Sequence, residues 1–180
     1  MRTQQSKEGM LSSHSLKGHS ASVILRTGLL TCLKVQANIT WEWKYSGPGI
    51  KACGTLQTTD TPNSSGFYQI LSIAGRRGDD QITGLFFAGR AIPGNASYPV
   101  DNLIKATGNA QITVHGFGYS LASGAHSNPY FKEAPTGSGY AEVYTTPGGF
   151  SEVPTEFKAA PLETGEHSSP AIDDKTSKCD

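Results

Sequence analysis

Hydrophobic and polar side chains alternate in the segment WEWKY, from Trp41 to Tyr45. Because successive side chains of a β-strand point to opposite faces, Trp41, Trp43 and Tyr45 share one face, and Glu42 and Lys44 share the other. The pattern therefore predicts a half-buried strand. Its three rings have two alternative roles, a packed core or a flat platform on which sugar rings stack.

Further along the chain, short apolar or alternating runs are separated by glycine, proline, asparagine and aspartate. These residues favour tight turns, and their spacing is typical of an antiparallel sheet. We therefore predict an all-β fold without helices, in which about seven to eight short strands form a sandwich or a partly open barrel. Of the two we prefer an antiparallel, jelly-roll-like β-sandwich. The predicted strands are 39–46, 50–58, 67–74, 81–88, 110–121, 139–145 and 150–159.

Two residue types refine the predicted strands. Pro154 lies in the last of them, and since proline cannot donate a ladder hydrogen bond, we expect that strand at the edge of a sheet. Gly116 and Gly118 occupy alternate positions of the run that ends at Leu121. Their alternation predicts a bare face against which another strand or ring can pack.

The patterned residues, 38–161, are predicted to form the single β-sandwich domain. Residues 1–37 are predicted to form a disordered arm followed by a signal-like apolar segment, and residues 162–180 a disordered polar tail. The apolar segment has the length of a secretory signal, but Arg26 and Lys34 interrupt it. It is also too short and too charged to span a bilayer.

The charge balance bears on possible partners. Lysine plus arginine and aspartate plus glutamate number 15 each, so the formal net charge is zero. Such a chain has no overall field to attract a phosphate backbone, and we expect no nucleic-acid partner. The only basic pair, Arg76-Arg77, is followed at once by Gly78-Asp79-Asp80, and we interpret it as a solvated turn.

Three cysteines, Cys32, Cys53 and Cys179, lie far apart and form no CxxC motif. This spacing argues against a structural zinc site and against a disulfide-dense scaffold. A bridge between Cys32 and Cys53 is one alternative, but nothing in the spacing supports it. We predict that the thiols are unpaired.

Reactive residues do not form a recognisable catalytic set. The chain lacks a GxSxG motif, and His115 and His126 are interpreted as satisfied or solvated side chains. No acid–base pair can be placed, so we expect no enzymatic activity. Asp60 and Asp101 lie in predicted loops, where aspartate caps its own backbone; the alternative is a calcium ion held by both carboxylates and nearby carbonyls. No other cofactor is expected.

Several motifs follow one another in a specific order across residues 39–161: ITWEWKYSG, TTDTPNSSGFY, IPGN followed by VDNLI, and GFGYSLASG. In this order of motifs the chain resembles the body of small secreted proteins of cyanobacteria and proteobacteria that usually end in a PEP-CTERM sorting signal. The resemblance implies export, association with the cell envelope or extracellular matrix, and no assigned enzymatic activity. The segment after Pro161 departs from it, because it has no Pro-Glu-Pro and no apolar helix.

Two functional classes remain. The first is a non-catalytic secreted, cell-surface or matrix-associated β-sandwich protein. The second is a carbohydrate-binding module whose aromatic face, formed by Trp41, Trp43 and Tyr45, contacts an extracellular polysaccharide. Both place the protein outside the cell or in its envelope.

Overall fold

The computed structural model describes residues 38–135, 137–162 and 179. Within these ranges the chain forms nine β-strands and no helix. The predictions for residues 1–37 and for most of 162–180 lie outside the described residues. The strands are β1 (Ile39–Gly47), β2 (Ile50–Thr58), β3 (Tyr68–Arg77), β4 (Asp80–Leu85), β5 (Leu103–Ile104), β6 (Tyr119–Leu121), β7 (His126–Lys132), β8 (Gly139–Thr146) and β9 (Gly149–Pro161).

Eight of the strands form a closed antiparallel barrel. Around the barrel they follow the order β2-β1-β9-β8-β7-β6-β4-β3, and β3 pairs in turn with β2. The short β5 is the extra strand, paired with β3. The predicted all-β antiparallel fold is confirmed, but the strands close into one barrel instead of a jelly-roll-like sandwich. Within the described ranges, no helix has the length and hydrophobicity needed to cross a membrane.

The barrel closes where the first and last strands meet. β1 pairs with β9 from Trp41 opposite Pro161 to Ser46 opposite Glu156. The expectation that the last strand lies at an edge is wrong, because β9 also pairs with β8. Pro154 lies opposite Ala141 of β8, just outside the segment that pairs with β1. A proline is tolerated there because only one neighbouring strand is present.

Aromatic rings fill the barrel. Trp41, Trp43 and Tyr45 are only 1%, 2% and 2% exposed. Trp43 contacts Phe117 edge to face with 5.8 Å between ring centroids, and Phe117 contacts Phe157 in the same way at 5.9 Å. Rings of this size dominate the burial of apolar surface. The same core cluster contains Ala52, Leu56, Ile70, Ile82, Ile104, Ile112, Tyr119, Leu121, Ala125 and Ala159.

Residues 86–118 form the long connection between β4 and β6, which contains β5 and contributes Ile104, Ile112 and Phe117 to the core cluster. Asn102, at a positive φ of 55°, donates from Nδ2 to the Phe86 carbonyl at 2.6 Å and accepts from the Gly118 amide at 3.2 Å. A Cβ on Gly118 would lie 3.0 Å from Ile92, so its lack of a side chain allows the close contact predicted for it. Of the predicted strand 110–121, however, only Tyr119–Leu121 is a strand.

β7 was not predicted. Its residues His126–Lys132 include Pro129 and fall between the predicted strands 110–121 and 139–145. Ser127, Asn128 and Pro129 are all buried, because one face of the strand lines the barrel interior and the connection covers the other. A strand buried on both faces shows no alternation of polar and apolar side chains.

We expect the contact between β2 and β3 to be sensitive to any added side chain. Gly54 lies opposite Gly75, and a Cβ on Gly54 would lie 2.0 Å from the Ala74 carbonyl oxygen. Gly54→Ala should lower the free energy of unfolding by about 2–4 kcal/mol, since the backbones must separate. Urea denaturation would measure this.

Gly84→Ala is the matched control. Gly84 also lies in a strand, but a Cβ there would meet nothing within 4 Å. Its stability should change by no more than about 0.5 kcal/mol. Equal effects of Gly54→Ala and Gly84→Ala would contradict the close approach of β2 and β3.

Candidate functional site

A carboxylate lies inside the barrel. Glu142 of β8 is 0% exposed and forms a bidentate ion pair with Arg77 at the end of β3. Arg77 Nε lies 2.7 Å from Glu142 Oε1, and Arg77 Nη2 lies 2.9 Å from Oε2. The guanidinium carbon also lies 3.8 Å from the centre of the Tyr144 ring. Both charges are therefore compensated where water is excluded.

Three hydroxyl groups complete this buried network. Tyr45 and Ser127 each donate to Glu142 Oε1 at 2.5 Å. The Tyr119 hydroxyl contacts the Tyr45 hydroxyl, and since the Tyr45 proton is directed to Glu142, Tyr119 is the donor of this bond. The network thus connects side chains from β1, β3, β6, β7 and β8.

Burial sets the protonation states of the network. It raises the pKa of Tyr45 and of Tyr119 well above the usual tyrosine value, and the negative charge of Glu142 adds to the effect. Burial alone would lower the pKa of Arg77, but the hydrogen bonds and charge of Glu142 outweigh it and raise that pKa. The network therefore combines neutral tyrosines with a permanently charged arginine.

The network is closed to solvent. Tyr119 and Ser127 are 0% exposed, as is Glu142, and only the Arg77 side chain reaches 15%. The hydroxyl and carboxylate groups therefore face the barrel interior and not bulk solvent. The interpretation of Arg77 as part of a solvated turn is wrong, because its side chain points into the barrel. Glu142 was not predicted to belong to any site. Because alternate residues of a strand point to the same face, Glu142 shares the inward face of β8 with Tyr140 and Tyr144.

The three aromatic residues predicted to bind glycans lie in the core. Trp41, Trp43 and Tyr45 are at most 2% exposed, and Trp41 Nε1 donates to the buried Thr58 hydroxyl at 2.9 Å. A sugar can stack only on a ring face that solvent reaches. The structure therefore favours the packed-core alternative, and the platform prediction is wrong for these residues.

The two aspartates predicted to hold calcium are engaged by their own surroundings. Asp60 accepts from the Thr61 hydroxyl at 3.0 Å. Asp101 accepts from the Leu103 amide at 3.2 Å and from the Thr113 hydroxyl at 2.6 Å. Burial raises the pKa of Asp101, and these hydrogen bonds oppose the effect. In the described part of the chain, no group of three or more His, Cys, Asp or Glu could hold a metal ion.

Two of the cysteines form a disulfide, so the prediction of unpaired thiols is wrong. Cys53 of β2 is bonded to Cys179, with 5.7 Å between the Cα atoms. A disulfide depends on this short distance in space and not on the separation along the chain, which here is 126 residues. The bond also attaches Cys179 to the barrel, although it belongs to the segment predicted to be a tail.

A groove lies outside the barrel, between the sheet formed by β7, β8 and β9 and the connection 86–118. Its volume is about 490 Å³. Asn128, Val143 and Glu152 occupy one row across the three strands and form part of its wall. We call this the outer groove. Its lining residues are Asn95, Tyr98, Val114, His115, Asn128, Tyr130, Phe131, Lys132, Glu133, Val143, Phe150 and Glu152.

The outer groove combines exposed rings with a polar cluster. Tyr98 and Phe150 are 62% and 57% exposed. Tyr130 donates to Glu152 Oε1 at 3.0 Å, and Lys132 Nζ binds the same oxygen. The bond from Lys132, followed by the one from Tyr130, lowers the pKa of Glu152 despite partial burial. Partial burial and the bond to Glu152 raise the pKa of Tyr130.

Comparison of the chain with models of protein families, with curated proteins and with solved structures finds no significant match.

Arg77→Met tests the buried network. The substitution leaves Glu142 buried without its cationic partner, and we expect it to cost about 3–5 kcal/mol of stability. Lys132→Met is the control, since the side chains of the Lys132–Glu152 pair are 55% and 35% exposed. Its cost should stay below about 1 kcal/mol. Similar costs in urea denaturation would contradict a stabilising role for the buried pair.

The raised pKa values of Tyr45 and Tyr119 predict that the barrel loses stability in alkali. Tyrosines of the unfolded chain lose their protons near pH 10, whereas Tyr45 and Tyr119 keep theirs in the folded barrel. The unfolded state then binds fewer protons, so the stabilisation is complete below pH 10 and declines as the pH rises. Each residue should contribute a slope of up to about 1.4 kcal/mol per pH unit.

Urea denaturation of the wild type and of Tyr119→Phe between pH 9 and 11.5 would measure this slope. The variant keeps the ring and removes one of the two titrating groups. It should therefore be less sensitive to alkali, whatever its stability at neutral pH. An unchanged slope would show that the Tyr119 proton is not linked to folding.

Proposed function

We propose that the chain is a non-catalytic exported protein of the cell surface or extracellular matrix, whose barrel is a rigid scaffold for the outer groove. The observation that carries the proposal is the bond between Cys53 and Cys179. Disulfides persist in oxidising compartments and are rare where glutathione and thioredoxin keep thiols reduced. A protein that contains such a disulfide is expected outside the cytoplasm.

The positions of the charged side chains support a non-catalytic role. Glu142 is sealed inside the barrel by Arg77 and three hydroxyl groups. Glu152, in the outer groove, is already engaged by Lys132 and Tyr130. A general acid or base must instead be within reach of a substrate proton. Both carboxylates serve better as structural or binding groups.

The resemblance to the bodies of PEP-CTERM proteins belongs to this proposal. Those proteins are exported and associated with the envelope or matrix. The signal-like segment that contains Arg26 and Lys34 would then serve as the export signal.

Thiol titration combined with cell fractionation tests the proposal. The full chain is expressed in a Gram-negative bacterium, and the protein recovered from periplasm and medium is denatured without reductant. Of its three cysteines, two are in the disulfide, so at most one thiol should react, and Cys179→Ser should add one reactive thiol. Retention of the chain in the cytoplasm, or two or more reactive thiols in the recovered protein, would refute the proposal.

A further inference from the structure

Exposed hydrophobic side chains are concentrated in the outer groove. Of the six large hydrophobic side chains that are exposed in the described part of the chain, Tyr98, Val114 and Phe150 line it. Single exposed hydrophobic residues are common and need no explanation, but a cluster rimmed by polar groups marks a binding surface. The outer groove is therefore the part of this surface best suited to a ligand.

Polar groups lie among these apolar side chains. Asn128 is 2% exposed and donates from Nδ2 to the His115 and Phe117 carbonyls, both at 3.1 Å. Its Oδ1 has no donor among the described residues and can accept from a ligand. His115 Nδ1 lies 3.1 Å from the Pro99 carbonyl. Because a carbonyl only accepts, Nδ1 carries the hydrogen of this bond, and Nε2 is the ring nitrogen left to contact a ligand.

This mixture of apolar and polar groups suits a sugar as the ligand. A hexose ring presents C–H groups on its face and hydroxyls around its rim, so it can stack on an aromatic ring while it donates to carboxylate, amide and imidazole acceptors. The Lys132–Glu152 pair is neutral as a whole, and Glu133 adds a negative charge to the groove lining. Without an excess of cations, the groove favours an uncharged chain over an acidic one.

The middle of the groove wall has no place for a peptide bound as an added strand, because β8 pairs with β7 on one side and β9 on the other. Where β7 lines the groove, its other edge is bonded to the connection, from Phe117 N to the Pro129 carbonyl and from Phe131 N to the Thr113 carbonyl. β9 pairs with β1 only over 156–161, so an edge of β9 is open beside the groove at Phe150 and Glu152. The volume of the groove, about 490 Å³, lies within the range of small-ligand sites, roughly 300–1,000 Å³.

We infer that the outer groove binds a short stretch of neutral polysaccharide, whose sugar rings stack on Tyr98 and Phe150 and whose hydroxyls bind Glu152, Lys132 and Asn128. The inference rests on the proposed function, since it names the extracellular partner of the scaffold. It also moves the polysaccharide contact from the buried rings of β1 to the outside of the barrel.

Isothermal titration and affinity electrophoresis of the purified, oxidised full chain test the inference. The probes are a soluble β-glucan, an α-glucan, a galactomannan and a xylan, with alginate as the acidic polymer. At least one neutral polymer should bind with a Kd between about 1 μM and 1 mM. Tyr98→Ala and Phe150→Ala should each weaken this binding about three- to tenfold without changing the melting temperature.

Phe87→Ala is the matched control. Phe87 is the most exposed of these hydrophobic side chains, at 82%, and does not line the outer groove. Its removal should leave the affinity unchanged. The inference is overturned if no neutral polymer binds with a Kd below about 1 mM, if only alginate binds, or if the losses of Tyr98→Ala and Phe150→Ala do not exceed that of Phe87→Ala. None of these results would refute the proposal of an exported scaffold, because its tests, thiol titration and fractionation, involve no ligand.

Discussion

The pairing of β1 with β9 is the constraint on which the rest of the structure depends. It joins the first strand to the last and turns one sheet into a ring without a free edge. A closed ring of eight strands encloses a space just wide enough for side chains to fill. Trp41, Trp43 and Phe117 fill it, which is why the alternating aromatic residues of the first strand face inward and not toward solvent.

Closure also explains how a charged pair is retained in this interior. Burying Glu142 and Arg77 carries a desolvation cost that hydrophobic side chains would avoid. The cost is offset because hydroxyl groups from several strands converge on the carboxylate. A slip of β8 by one residue would turn Glu142 outward and Val143 inward. The hydrogen bonds of Glu142 can therefore form in only one register, and the pair links the correct alignment of β8 to the filling of the barrel.

Local patterns predicted the all-β fold but not its closure. The first strand was recognisable because it alternates rings with charges, and the Gly47-Pro48-Gly49 turn marks its end. β7 has both faces covered, so no alternation reveals it. Arg77 and Glu142 are 65 residues apart, and the outer groove combines two segments of the sheet with a distant connection. These sites are created by contacts between remote parts of the chain, which sequence spacing alone does not indicate.

The bond from Cys53 to Cys179 gives the molecule a further property. It encloses the chain from β2 to the end of the described residues in one covalent loop. A protease that cuts an exposed turn within that loop, such as the one at 147–149, produces two fragments that stay linked through sulfur. The cut barrel retains all its strands in one molecule, so the fragments have no translational entropy to gain by separating. Such a protein can survive a nick that would let a fragment leave an unbridged barrel.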